Sequence, residues 1–335
     1  MTSVIATLRD RRTFFLGVNT GYVTDGLPDS RYIEFYRRRS SLALHCAIVG
    51  NVVVPGGHGS NGSTPTLTSG AIWGQVAAAI NQGGSLPGIQ LATAWNGYIG
   101  TRKFVGNDPQ TVISEARSLV AKLGADGIST VMAGFDEASS MAIDHGYRHV
   151  QLHGAHGYLL NLLIDSRINP RAGAVFDRLS DLGKRLACAG IETSIRISLR
   201  TGDTAFDASG TDAFHDAIAA LPFDYIDLSS GFYNIDKRLI YPARAEVLAE
   251  RLAGTEAVAK RNPATSFILS GRAMQNVVNE LPSNIHIGFC RDLIANPDFL
   301  TQPDRGCRNR NKCHYFSKNE KALTCATWSK EEITR

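Results

Sequence analysis

Strand-like and helix-like segments alternate through nearly all of these 335 residues, and that alternation limits the fold more than any other feature. Eight short apolar runs read as strands, at 13–18, 44–54, 86–93, 148–152, 192–198, 225–229, 266–270 and 285–289. Helical spacing lies between them at 30–40, 69–82, 109–123, 129–145, 177–189, 212–220, 243–254 and 272–281. The third crossover holds two of these helices, and Asp108-Pro109 supplies an N-cap and first turn for one of them. Parallel strands need a crossover, so eight strands in alternation predict an α/β chain closed into a (β/α)8 TIM barrel. A doubly wound sheet would usually show GxGxxG after its first strand, but here that strand runs into Asn19-Thr20-Gly21-Tyr22. No charge block or low-complexity linker divides the chain, and the Gly/Ser/Asn/Thr-rich stretch 56–68 reads as a loop. One domain over 1–335 is expected, with a C-terminal extension at 300–335 carrying Cys307, Cys313 and Cys325.

Charge and apolar patterning exclude several classes of partner. The net charge is +4, and no Lys/Arg stripe is interleaved with aromatics, so no nucleic-acid partner is expected. The Arg37-Arg38-Arg39 cluster reads as a solvated helix face. The apolar stretch 42–55 is broken by His45, Gly50 and Asn51 and falls short of the roughly 20 residues a membrane span needs. The first apolar run, 14–18, is too short for a secretory leader, and Cys46, Cys188 and Cys290 stand alone in apolar contexts. A reduced, cytoplasmic protein is the expectation, and a homo-oligomer is compatible with it. The Cys-x5-Cys-x11-Cys spacing of the tail fits no common zinc pattern, so no metal site is assigned.

The chemistry concentrates in His153-Gly-Ala-His-Gly-Tyr158-Leu-Leu, directly after the fourth strand. Two imidazoles and a phenol at one strand end would face the ligand side of a barrel. Thr20, Gln90, Arg196, Arg272 and Arg291 fall at or near other strand ends and converge on the same face. Taken alone, these residues keep plainer readings open. His153 and His156 suit a structural or metal-binding pair, Arg196 a buried ion pair, Tyr158 a space-filling ring and Thr20 a turn.

The run Val150-Gln-Leu-His-Gly-Ala-His-Gly-Tyr-Leu-Leu160 closely resembles the signature of the old yellow enzyme family of FMN-dependent oxidoreductases. Gly88-Ile-Gln-Leu-Ala92, Ile195-Arg-Ile-Ser198, Asp227-Leu-Ser-Ser-Gly231 and Arg291-Asp-Leu-Ile-Ala-Asn-Pro-Asp298 match further family segments in order. The resemblance implies FMN over the carboxyl ends of the strands, reduced by NADH or NADPH. It gives Thr20 a hydrogen bond to flavin O4, Gln90 the pyrimidine edge, and Arg196 the N1/O2 edge, where its charge stabilises the anionic reduced flavin. Gly271, Arg272, Cys290 and Arg291 would hold the phosphate. His153 and His156 would bind the carbonyl oxygen of an enone or enal while Tyr158 protonates its α-carbon.

Departures from the family pattern accompany these matches. Val18-Asn19 stands where a proline is common, Gly50-Asn51 where an acid ends the second strand, and Cys290 where a glycine is common. Asn19 and Asn51 nonetheless belong to the cofactor-facing set by position. After Ser166-Arg-Ile-Asn-Pro-Arg171, the family's roofing loop is replaced by a shorter stretch at 172–178. Relatives with an iron-sulfur cluster carry four tail cysteines, whereas Arg310 stands where one of them is expected here. The expected activity is reduction of an activated C=C bond. A desaturase or isomerase on the same fold, and a flavin-binding or scaffold barrel without turnover, stay open at this level.

Overall fold

The computed structural model describes residues 10–272 and 280–328. Within them eight parallel strands close into a barrel: β1 (Thr13–Phe15), β2 (Cys46–Val53), β3 (Leu86–Ala92), β4 (His149–Gly154), β5 (Glu192–Ser198), β6 (Tyr225–Ser229), β7 (Ser266–Leu269) and β8 (Ile285–Phe289). Each pairs with the next in sequence, and β8 closes on β1. All eight expected runs are strands, although β1 stops at Phe15 and β4 continues to Gly154. That extension matters, because it carries His153 inside the ladder, in register with Arg196, which is itself in register with Asp227. Alternation along each strand sends one set of side chains inward, where Phe14, Leu16, Cys46, Ile48, Tyr225 and Ile268 form a cluster separate from the larger core outside the barrel.

The helices follow their periodic apolar faces, with three corrections. Helix α1 (Ser30–Arg38) starts from Asp29, whose carboxylate accepts from the Arg31 N–H at 2.9 Å. Helix α2 (Ile72–Gln82) follows β2. Both helices read between β3 and β4 are present within α3 (Pro109–Asp144), separated by a kink at Gly124, whose φ is 62°. Asp108 caps it by accepting from the Thr111 N–H. The short α4 (Leu159–Ile164) was not legible, since all six of its residues are buried and give no periodicity. Helix α5 (Ala172–Cys188) begins five residues earlier than expected, so the stretch read as a shortened roofing loop is its first two turns. Arg39 is the third correction. It is buried rather than solvated, lies 3.8 Å over the Phe35 ring, and donates to the carbonyls of Phe35, Leu293 and Ile294.

Farther along, α6 (Thr204–Asp207) and α7 (Thr211–Ala219) follow β5, α8 (Lys237–Ile240) and α9 (Ala245–Arg261) follow β6, and α10 (Arg291–Ala295) follows β8. The helix expected at 272–281 lies outside the described residues for 273–279. No described helix is long and apolar enough to cross a membrane, and the six cysteines are all free thiols.

The C-terminal segment returns across the barrel mouth. The Leu323 N–H donates to the Thr20 carbonyl at 2.7 Å, and the Tyr22 and Tyr315 hydroxyls donate to the Leu323 carbonyl and Asn19 Oδ1. Gly21 permits this approach. Its φ is +69°, and a Cβ there would sit 2.8 Å from the Lys321 carbonyl oxygen.

At the opposite end, Glu192 gathers the imidazoles of His45 and His149 at 2.9 and 2.8 Å and the Arg12 guanidinium at 2.5 Å. Burial raises the cost of its charge, but the hydrogen bonds from His149 and His45 outweigh that and hold the carboxyl well below the usual range. A depressed carboxyl stabilises the fold above its unfolded pKa, near 4.3, and that stabilisation fades as pH falls toward the folded value. Glu192→Gln should therefore cost about 1–3 kcal/mol at pH 7 and flatten the acid limb of stability, as read by urea unfolding across pH.

Candidate active site

At the carboxyl ends of the strands the barrel opens into a cavity of about 170 Å³. Its floor is built by the strand ends: Leu16 to Asn19 after β1, Asn51 on β2, Gln90 on β3, His153 on β4, Arg196 on β5, Gly271 after β7, and Cys290 with Arg291 after β8. His156 and Tyr158 follow from the loop after β4, and Ser60 and Asn61 from the loop after β2. Residues 313–317 of the tail, with Tyr233 and Tyr241, complete the wall. A larger groove of about 900 Å³ lies between α1 and the tail, but none of the polar strand-end residues reaches it.

A buried polar chain organises the floor. Arg196 Nη1 donates to Asp227 Oδ2, and its Nη2 donates to Ser229 Oγ at 3.1 Å. Ser229 Oγ in turn lies 2.7 Å from His156 Nε2. On the other side, Gln151 Nε2 donates to Asp227 Oδ2 at 3.3 Å while its carbonyl accepts from Gln90 Nε2 at 2.6 Å. Asp227 and Gln151 are both fully buried. The chain therefore links β3, β4, β5 and β6 just beneath the cavity.

The three proton-bearing groups are close to one another. The His153 ring is centred 4.6 Å from Tyr158 and 5.2 Å from His156, edge to face in both cases. His156 takes a left-handed φ of 63°, and its N–H donates to Ser198 Oγ at 2.9 Å, which fixes the turn. Tyr158 receives a 3.4 Å hydrogen bond from Asn51 Nδ2. Burial lowers His153 to about 3, with Arg196 adding to the effect, and lowers His156 for the same reason, helped by His153, Arg196 and Arg251. Burial raises the Tyr158 phenol against the hydrogen bonds from Ser60 and Asn51. At neutral pH the site therefore presents two neutral imidazoles and a protonated phenol beside the Arg196 guanidinium.

No family model matches the chain. The NADH-dependent flavin oxidoreductase nadA of Aspergillus parasiticus (strain ATCC 56775 / NRRL 5862 / SRRC 143 / SU-1) is 24% identical over 308 residues, covering 81% of this chain and 68% of that protein. Two solved structures share the fold. They are the 6-hydroxypseudooxynicotine amine oxidase of Pseudomonas geniculata N1 (TM-score 0.70, 16% identity, 94% of this chain) and 2-naphthoyl-CoA reductase with 2-naphthoyl-CoA (TM-score 0.71, 14% identity, 96% of this chain). This chain spans 51% and 55% of those two longer chains. The likeness to the two solved structures shows the barrel fold, and the Aspergillus relative is a flavin oxidoreductase by name.

Two residues assigned from the old yellow enzyme resemblance lie off the cavity wall. Thr20 is buried as a turn residue, its Oγ1 accepting from the Tyr22 N–H at 3.2 Å, and Asn19 takes the wall position instead. Arg272 turns toward the tail, where it meets Asp292 at 3.2 Å, Asn309 Oδ1 at 2.7 Å and the Cys307 carbonyl at 3.0 Å. Arg196 is both the ion-pair partner its plainer reading foresaw and a wall residue. Sequence reasoning missed Gln151, Asp227 and Ser229, although a buried Asp within Tyr-Ile-Asp-Leu is an audible signal once its strand is known. Asp227→Ala should cost about 3–5 kcal/mol in urea unfolding, because the buried Arg196 guanidinium would lose its counter-charge.

Proposed function

We propose that this barrel is a flavin oxidoreductase that holds FMN, takes reducing equivalents from NADH, and reduces the activated C=C bond of an enone or enal. The observation that carries this reading is the clustering of neutral His153 and His156 with protonated Tyr158 at the barrel mouth. The cavity suits a flavin on its own terms. Gln90 and Arg196 offer donors along one edge, and Gly17 lets the wall lie flush, since a Cβ there would stand 3.0 Å from Gln90 Oε1. Gly271, Cys290 and Arg291 form the end that would receive a phosphate. The name of the Aspergillus relative pairs NADH with a flavin, which favours NADH over NADPH as the donor.

When bound, the flavin supplies hydride transfer from the nicotinamide to the β-carbon of the substrate. The residues of this chain do the rest. His153 and His156 hold the carbonyl oxygen with N–H groups and draw electron density from the β-carbon. Ser229 accepts from Arg196 and has only His156 Nε2 to receive its proton among the described residues, so His156 keeps its own N–H on Nδ1. Tyr158 donates its hydroxyl proton to the α-carbon, and Asn51 steadies the phenol oxygen. The Arg196 guanidinium would place positive charge beside a bound flavin and so favour its reduced, anionic form, and Asp227 fixes its direction.

Anaerobic stopped-flow mixing separates the two halves of the reaction. Tyr158→Phe should leave NADH oxidation unchanged and slow enone reduction by about 10²–10⁴-fold; an undiminished enone half-reaction contradicts the assignment. The pH profile provides a second check. Both imidazoles stay neutral far below the ordinary histidine pKa, near 6.5, and the phenol stays protonated beyond its ordinary value, near 10. The enone kcat/KM should thus show no break from about pH 6 to about pH 9, and a fall on the acid side near pH 6.5 would mean that an imidazole titrates in turnover.

A further inference from the structure

The charges at the β7–β8 end of the cavity do not balance. Arg196 is paired with Asp227 and Arg272 with Asp292, but Arg251 and Arg291 have no carboxylate partner among the described residues. Arg291 lies on the cavity wall and donates to the Pro242 carbonyl at 2.6 Å and to Asn309 Oδ1 at 3.2 Å. Arg251 projects from α9 and is 3% exposed. It donates to Ser270 Oγ at 3.1 Å and to the Leu239 carbonyl, and its Nε has no partner among the described residues. Its guanidinium is flush against Gly271: a Cβ on that glycine, whose φ is +74°, would meet Arg251 Nη1 at 2.8 Å. Gly271 is therefore a single layer of backbone between a buried cation and the cavity.

We propose that Arg251 is a positioning residue for the phosphate of the bound flavin, holding the Gly271 turn and supplying positive charge from directly behind it. This rests on the FMN reading and deepens it. A buried guanidinium without a counter-ion is costly, and a phosphate carrying about −1.5 to −2 charge supplies what Arg251 and Arg291 lack. Burial pushes Arg251 down to about 9, and Arg196 and Arg291 press in the same direction against Asp227, as expected of a site one anion short. The geometry also gives Gly271 a reason to be glycine, since any side chain would displace the guanidinium.

The test compares two ligands that differ only in the phosphate. Flavin-free protein is titrated with FMN and with riboflavin, following quenching of flavin fluorescence, for the wild type and for R251Q, R251K and G271A. R251Q and G271A should weaken FMN by about tenfold or more while riboflavin stays within about twofold, and R251K should recover part of the FMN affinity. Equal loss of both ligands would make Arg251 a pillar of the β7 turn and overturn the proposal, as would no loss of either. R251K keeps the charge and decides the matter where R251Q does not fold: a selective loss of FMN smaller than tenfold supports the proposal, and parallel behaviour of the two ligands overturns it. Wild-type protein that binds neither ligand removes the flavin reading itself, and this proposal with it.

Discussion

The buried ion pair between Arg196 and Asp227 is the constraint on which the site depends. A fully buried carboxylate is held beside a guanidinium that reaches the cavity floor, and the β5–β6 register places the two residues opposite one another. Burial pushes the Asp227 carboxyl up, against Arg196, Arg251 and Gln151, which favour its charge. In a low-dielectric interior such a pair is costly to break, and every group bonded to it inherits its rigidity. Gln90 is held through Gln151, and His156 through Ser229. One pair thus orients the edge where a flavin would lie and the imidazole that would face its substrate.

The same chain runs through the barrel to its other face. Glu192 binds His149 Nδ1, His149 Nε2 meets Ser194 Oγ at 2.8 Å, and Ser194 accepts from Gln151 at 3.0 Å. Polar groups therefore cross the inside of β4, β5 and β6, while Phe14, Leu16, Cys46, Ile48 and Ile268 fill the opposite wall. The strand register brings these members together, and Asp227 Oδ1 alone among this polar chain's carboxylate oxygens has no partner among the described residues.

Sequence legibility followed physical locality. The strands are readable because a fully buried parallel strand is a short apolar run between turn signals, and Gln90 and Arg196 stand out as polar side chains within such runs, with His153 directly after one. Helix α4 and the early start of α5 are not, since a turn buried on every side carries no amphipathic period and Arg171 offers no side-chain cap. Thr20 and Arg272 fell at the expected distance along the chain, yet local bonds to Tyr22 and to the tail turned them elsewhere. Arg251 carries no signal of its own within the helix read at 243–254, and its contact with Gly271 is what singles it out. Tyr315 and Asn19 meet across 296 residues, a contact no local pattern can announce.

The C-terminal extension forms part of the cavity wall, from Cys313 to Ser317, and is tied to Thr20, Asn19 and Ile294. It encloses a space whose floor is cationic and whose far side offers neutral hydrogen-bond donors. The central claim is that this space was shaped for a flavin mononucleotide. Heat release of the chromophore from purified protein, with mass identification and quantitation, tests that most directly. The account predicts FMN approaching one molecule per chain once the protein is saturated, and protein that neither carries FMN nor takes it up on reconstitution would contradict it.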